Sequence, residues 1–205
     1  MNLSTRICGI VLAAGASSRM GRDKALLSWP PGSDGTLLSA AISALRPFVR
    51  EIVVVAGRNA EALAPRIAQL GADLAPNPEP ERGQLSSIQT GLQAALEHGC
   101  DAAMLTPVDC PPLSAASLAI LCEAFTEARE RGAWAVAPQR RGQHGHPLLL
   151  GRELIEAFLA APPTGNTKQV KSTFADRFHY VEVPDALLAV EVNTPEEYAA
   201  LAKAD

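Results

Sequence analysis

Ile7-Cys8-Gly9-Ile10-Val11-Leu12-Ala13-Ala14-Gly15-Ala16-Ser17-Ser18-Arg19-Met20-Gly21-Arg22-Asp23-Lys24 is the stretch that decides the architecture. Its first half, Ile7 to Ala13, is continuously apolar and β-branched at Ile7, Ile10 and Val11. A run of that length without alternation predicts a strand buried on both faces, as in a parallel sheet covered by helices. Its second half changes abruptly to small, polar and basic residues. Arg6, the apolar run and the small residues Ala13 to Ala16 superficially imitate a secretory signal. The run is too short and its sequel too rich in Gly, Ser and Arg for that, so a first buried strand and a cytoplasmic location are expected.

Outward from this segment, strand and helix patterns alternate. Ile52 to Ala56, Ala102 to Thr106, Trp134 to Ala137, Pro147 to Leu150 and Tyr180 to Val183 read as strands. Leu37 to Leu45, Asn59 to Leu70, Leu85 to Glu97, Ser114 to Arg131 and Glu153 to Leu159 carry helical periodicity. Ser114 stands where an N-cap belongs, and Gly99 and Gly132 stand at C-cap positions. Pro195, Glu196 and Glu197 open a last helix with Thr194 as its cap. The Pro-rich stretches Trp29 to Gly32 and Pro76 to Pro80 read as loops. Such alternation predicts an α/β chain, a three-layer α/β/α Rossmann-like fold with a mostly parallel sheet, whose ligands sit beyond the carboxyl ends of the strands. The length, 205 residues, and the absence of any linker favour one domain spanning 1–205.

Composition narrows the partners. The net charge is −4, which argues against a general nucleic-acid or anionic-membrane binder, since those draw their affinity from excess Lys and Arg. No apolar run approaches the roughly 20 residues of a membrane helix. Cys8, Cys100, Cys110 and Cys122 are scattered, with no Cys-x-x-Cys spacing, and read as small buried residues in a reducing compartment.

The loop after the first strand carries the first chemical signal. Small residues at Ala13 to Ala16 admit a ligand close to the backbone, and Gly15 and Gly21 permit conformations barred to other residues. Exposed amides in such a turn bind anions, and Arg19 and Lys24 add two positive charges. The Walker and G-x-G-x-x-G spacings are both absent. A tight solvated turn is the alternative, and the two cations beside the small residues favour phosphate.

L-A-A-G-x-S-x-R-M-G-x-x-K, Leu12 to Lys24, resembles the signature of MobA-like nucleotidyltransferases, especially the molybdenum cofactor cytidylyltransferase branch. The resemblance continues through Gly83-Gln84-Leu85-Ser86-Ser87-Ile88, Pro107-Val108-Asp109-Cys110-Pro111, Gly145-His146-Pro147 and Asn193-Thr194-Pro195-Glu196-Glu197. It implies that Leu12, Ala13, Ala14, Gly15, Ser17, Arg19, Lys24, Gly83 and Ser87 bind a nucleoside triphosphate. It implies that Asp109 holds Mg²⁺ and that Gly145, His146 and Pro147 face the acceptor. Asp109 alone would read as a turn residue, but a strand-end carboxylate beside substrate phosphates suits magnesium. Asn193, with Glu191 two positions earlier on the same strand face, is either a second metal contributor or a turn residue before the Thr194 cap. Ser86 and Ser87 open a helix and read as ligand-facing hydroxyls, as N-cap groups, or both. His144 and His146 flank Gly145 but lack further ligands at zinc spacing.

The implied reaction is nucleotidyl transfer: an acceptor phosphate attacks the α-phosphorus, and pyrophosphate departs. Arg19 and the Gly15 to Gly21 amides would hold the β- and γ-phosphates, Lys24 the α-phosphate and the incoming phosphate, with Arg19, Lys24 and Asp109 as the catalytic set. A phosphorylated small molecule such as molybdopterin is the expected acceptor, with hand-over of the product to a molybdoenzyme or its chaperone. A sugar 1-phosphate enzyme and a non-catalytic carrier of nucleotide or pterin cofactor are the alternatives. Pro162 to Lys168 departs from the G-D-x-G-A-R-like segment of relatives that act on molybdopterin. L-A-A-G in place of L-A-G-G points to CTP rather than GTP.

Overall fold

The structure is a computed structural model and describes residues 5–201. Residues 1–4 and 202–205 of the expected 1–205 domain lie outside the described residues. Among the described residues, eight strands form one sheet: β1 (Ile7–Ala13), β2 (Glu51–Ala56), β3 (Asp73–Pro76), β4 (Ala102–Pro107), β5 (Ala135–Arg140), β6 (Gln143–His144), β7 (Leu148–Gly151) and β8 (Phe178–Glu182). Their order is β3-β2-β1-β4-β7-β5-β6, with β8 paired to β5. β1 pairs in parallel with both β2 and β4, β2 with β3, and β5 with β8, while β7 and β6 run antiparallel to their neighbours.

Among the described residues, seven α-helices cover the sheet: α1 (Leu37–Leu45), α2 (Ala60–Gln69), α3 (Gln84–Glu97), α4 (Ala115–Glu130), α5 (Arg152–Ala160), α6 (Thr167–Thr173) and α7 (Pro195–Leu201). Alternate residues of β1 divide between two cores. Val11 and Ala13 pack with α1, α2 and α4. Cys8, Ile10 and Leu12 pack with α3, α5 and Val170 of α6. Both faces of β1 are therefore dry, which is why its sequence is continuously apolar. On the second face α3 lies so close that a Cβ on Gly91 would stand 2.7 Å from Ile10 Cγ2 and 2.9 Å from Val55 Cγ2. Only glycine allows that approach.

Local signals account for the helix ends. The Ser114 hydroxyl accepts from Ser117 N. Thr194 and Glu197 cap reciprocally, Glu197 N donating to Thr194 Oγ1 and Thr194 N to Glu197 Oε2. Gly99 and Gly132 have positive φ, and each helix before them closes with a paired 6→1 and 5→2 bond: Cys100 N to Ala95 O with Gly99 N to Leu96 O, and Ala133 N to Ala128 O with Gly132 N to Arg129 O.

Two expectations are corrected and one element is added. Pro76 does not belong to a loop but ends β3, a short edge strand that buries only Ala75 and so shows no periodicity. A helix that the sequence reading did not assign is added: Thr167 and Lys168, at the end of the Pro162 to Lys168 segment, open α6, where Asn166 and Gln169 form a capping box. Glu191 and Asn193 lie on no strand; the segment is irregular, and Glu191 Oε2 accepts from Asn193 Nδ2 at 3.3 Å.

Candidate active site

The sheet order reverses at β1. β2 lies on one side of it and β4 on the other, so the loops leaving β1 and β4 diverge and open a crevice at their carboxyl ends. A cavity of about 870 Å³ fills that crevice. Its walls come from the segment after β1, from Arg58 and Asn59 after β2, from Pro80 to Ser87 at the start of α3, and from Pro107 to Asp109 at the end of β4.

The loop after β1 is held by its own side chains. Met20 is buried and anchors the loop in the core, while Met20 N and Gly21 N both donate to Ser17 O. The Ser17 hydroxyl accepts from Lys24 N at 3.2 Å. Asp23 accepts from Ala25 N at 2.9 Å and caps the short 3-10 turn Lys24–Leu26. The left-handed positions are Ser17, at φ 50°, and Gly21, at φ 71°. Gly15 is not left-handed, contrary to expectation; a Cβ built on it meets nothing within 4 Å, so its surroundings are open space. Among the described residues, the amides of Gly15, Ala16, Ser18 and Arg19 donate to no protein acceptor. Unpaired N–H groups gathered at a strand end form an anion-binding concavity.

Lys24 joins this loop to the opposite wall. Its Nζ donates to Asp109 Oδ2 and to Asn193 Oδ1, both at 2.8 Å, and Arg19 Nη2 donates to Asn193 Oδ1 at 3.2 Å. The Lys24 side chain is 13% exposed and that of Asp109 25%. What brings Asn193 here is backbone: Val192 is fully buried, and its N–H donates to Asp109 O at 2.8 Å. α7 is held over the loop as well, Tyr198 Oη donating to Ser28 O at 2.8 Å with the Arg22 guanidinium 5.7 Å from its ring.

The expected nucleotide-binding residues Leu12, Ala13, Ala14, Gly15 and Ser17 line the cavity, as do Lys24, Gly83, Ser87 and Asp109. Arg19 and Asn193 stand beside that lining and reach it through Lys24. The N-cap role expected for Ser86 or Ser87 falls to Gly83, whose φ of 90° turns the chain into α3. Both hydroxyls instead accept from Asn77 Nδ2, at 2.9 and 3.0 Å, and Ser86 donates to Gly83 O and Glu79 O. Among the described residues the Ser87 hydroxyl donates to no protein acceptor, and Ser87 lines the cavity. Gly145, His146 and Pro147 are not brought to this cavity. His146 and Pro147 face a small separate crevice with Thr106 and Cys110, behind the turn that carries Asp109. Burial pushes the His146 imidazole down to about 4, with Lys171 acting in the same sense, so it is neutral at pH 7.

Asn59 is a site residue that sequence alone did not disclose. Its Nδ2 donates to Ala13 O at 3.0 Å and to Asp23 Oδ2 at 2.7 Å, while its Oδ1 accepts from Gly57 N at 3.0 Å. It thereby clamps the ends of β1 and β2 to the residue before Lys24. In sequence Asn59 shows only the beginning of a helix, and no local signal announces a partner 36 positions away.

Asp109 Oδ2 and Asn193 Oδ1 are hard oxygen donors that already converge on one cation, the Lys24 ammonium. Among the described residues no three His, Cys, Asp or Glu side chains gather as a metal cluster. A metal here would therefore take one carboxylate, one amide oxygen and ligands from substrate or water, a set that suits magnesium.

A doubly wound sheet, a cavity at its switch point and a loop of free amides facing a Lys–Asp pair define an α/β protein built to hold a phosphate-bearing ligand. Residues 9–179 match the MobA-like NTP transferase domain, and the chain belongs to that family: it is a nucleotidyltransferase. It is 28% identical over 190 residues to the molybdenum cofactor cytidylyltransferase of Escherichia coli (strain K12), covering 92% of each chain. It is 30% identical over 201 residues to the probable molybdenum cofactor guanylyltransferase of Mycobacterium avium (strain 104), covering 98% of each. In fold it is similar to the crystal structure of Rv0371c from Mycobacterium tuberculosis H37Rv, with a TM-score of 0.80 at 24% identity over 98% of each chain. No helix among the described residues is long and apolar enough to cross a membrane.

Proposed function

We propose that this chain transfers CMP from CTP to the phosphate of a molybdopterin-type acceptor and releases pyrophosphate, with Mg²⁺ held by Asp109 and Asn193. The observation that carries it is the convergence of Lys24, Asp109 and Asn193 beside four unpaired loop amides at the switch point. Those amides and Arg19 bind the β- and γ-phosphates and stabilise them as the leaving group. The Lys24 ammonium lies over the α-phosphate and the incoming phosphate, where negative charge accumulates as the new bond forms. Asp109 and Asn193 would hold the magnesium ion, which would supply positive charge to offset that of the phosphate oxygens. Asn59 and Asp23 fix the turn from which Lys24 projects, so its main chain is in place before substrate arrives.

The preference for CTP rests on Ala14 and Ser87. A methyl group at position 14 narrows the slot beside the strand end, which favours a single ring over a purine, and the free Ser87 proton can donate to a pyrimidine carbonyl. Relatives of both specificities are similar to this chain, so the base is the point to test. The four free thiols, three of them buried, fit a reducing cytoplasmic setting, and hand-over of the product to a molybdoenzyme or its chaperone there is part of the proposal. The decisive experiment measures pyrophosphate release from CTP, GTP, ATP and UTP, each with molybdopterin and with a panel of sugar 1-phosphates. Release from CTP with molybdopterin is expected. Release only with a sugar 1-phosphate would replace the acceptor, and tight binding of CTP without release would make the protein a carrier.

A further inference from the structure

Lys24 does more in this structure than wait for phosphate. Its ammonium donates to Asp109 Oδ2 and Asn193 Oδ1 at 2.8 Å each, and these are the two oxygens assigned above to the metal. Among the described residues Lys24 forms the one ion pair that Asp109 makes, and both side chains are largely withdrawn from water. A carboxylate so placed needs a positive partner, because an unpaired charge in a half-dry crevice is costly. The separation of the two oxygens is set by backbone: Val192 N donates to Asp109 O, and Asn193 N donates to Glu197 Oε2 at 2.7 Å. The main chain of Lys24 is fixed separately by Ser17 and by the Asp23 cap. The oxygen pair is therefore preformed, while the lysine stem is the part free to move.

We infer that Lys24 is a resident counter-cation that excludes a divalent metal from Asp109 and Asn193 until nucleotide phosphates draw its ammonium away. The inference rests on the assignment of Asp109 as a metal ligand. An ammonium and a divalent ion cannot share the same two oxygens, since both are cations at contact distance. Lys24 also lines the cavity, as do Gly15, Ala16 and Ser18, whose free amides would gather the triphosphate there. Once phosphate oxygens are there, the ammonium exchanges one set of anionic partners for another at little cost. Metal and nucleotide then bind with positive coupling, and by linkage each strengthens the other by the same factor. An empty protein would neither scavenge free metal nor present an unpaired carboxylate.

The test is Mn²⁺ binding, read from the electron paramagnetic resonance signal of free Mn²⁺, without and with the non-transferable analogue α,β-methylene-CTP. The full chain is compared with Lys24→Met, Lys24→Gln, Lys24→Arg and the double variant Lys24→Met/Asp109→Asn, all shown folded by thermal melts. Without nucleotide, wild type and Lys24→Arg are expected to bind Mn²⁺ weakly. The two neutral variants should bind at least about tenfold more tightly, about 1.4 kcal/mol. The double variant should lose that gain. The analogue should tighten Mn²⁺ binding to wild type far more than to the neutral variants. Equal Mn²⁺ affinity in wild type and neutral variants, or equal tightening by the analogue in all of them, overturns the exchange and leaves Asp109 as a ligand. Tight binding that persists in the double variant overturns the assignment of Asp109 itself.

Discussion

Replacing Asn59 by Ala tests whether the nucleotide loop is held by tertiary contacts or by its own turns. The substitution removes three hydrogen bonds: to Ala13 O at 3.0 Å, from Gly57 N at 3.0 Å, and to the Asp23 carboxylate at 2.7 Å. Two neutral bonds contribute about 1 kcal/mol each and one to a charged group about 1.5 kcal/mol or more. Asn59 borders the cavity, so water can replace part of this, and a loss of about 2–3 kcal/mol is expected. For a chain of this size that lowers the melting temperature by roughly 4–12 °C. The functional effect follows from Asp23, which caps the turn bearing Lys24. With Asp23 released, Lys24 loses its alignment, and a displacement on the order of 1 Å costs about 10²-fold in turnover. The Michaelis constant for nucleotide should move much less, because the loop amides remain. Asn59→Asp sharpens the test, since it sets a carboxylate against Asp23 and a backbone carbonyl. At neutral pH it should be worse than Ala, and it should recover in part on acidification, as the two carboxylates come to share a proton. Differential scanning calorimetry and steady-state pyrophosphate release measure both effects. Unchanged melting and unchanged turnover in Asn59→Ala would mean that Ser17 and Met20 hold the loop alone, and the clamp would be refuted.

Three further perturbations separate the roles. Asp109→Asn should lower magnesium-dependent transfer by about 10²-fold or more, the scale of a lost electrostatic group, and should lower the melting temperature as Lys24 loses its carboxylate partner, without unfolding the chain because the Val192 N to Asp109 O bond is retained; wild-type activity across a magnesium titration would reduce Asp109 to a turn residue. Wild type should prefer CTP to GTP in kcat/KM, and Ala14→Gly should relax that preference by removing a methyl-sized obstruction that discriminates by about 1–3 kcal/mol; a wild-type preference for GTP would sink the size argument. His146 is held neutral at about 4, whereas its unfolded counterpart titrates near 6.5. Between those values the unfolded chain binds the extra proton, so stability rises with pH across the window, and acidification from about 6.5 to 4 should remove up to about 3 kcal/mol. His146→Gln should flatten that part of the pH–stability profile, and an identical slope in the variant would assign the loss to other groups.

Local sequence determined a good deal here. The unbroken apolar run Ile7 to Ala13 could satisfy its side chains only when buried on both faces, and the small residues and cations after it could only be a loop. The Ser114 cap, the Thr194–Glu197 box and the glycines at 99 and 132 closed their helices through bonds spanning a few residues, which is why they were legible. β3, β6 and α6 were not, because a short edge strand, a two-residue strand and a two-turn helix carry too little periodicity to register. Ser87 had a legible place but an illegible partner, since Asn77 reaches it from the end of a different strand. The decisive contacts lie furthest from any local pattern. Lys24 meets Asp109 across 85 positions and Asn193 across 169. Each of these residues alone reads as a loop or turn residue. They meet because β1 and β4 pair in parallel and because buried Val192 bonds to the backbone of Asp109. Strand order and burial, which no window of sequence contains, made that triad and placed Asn59 beneath its loop.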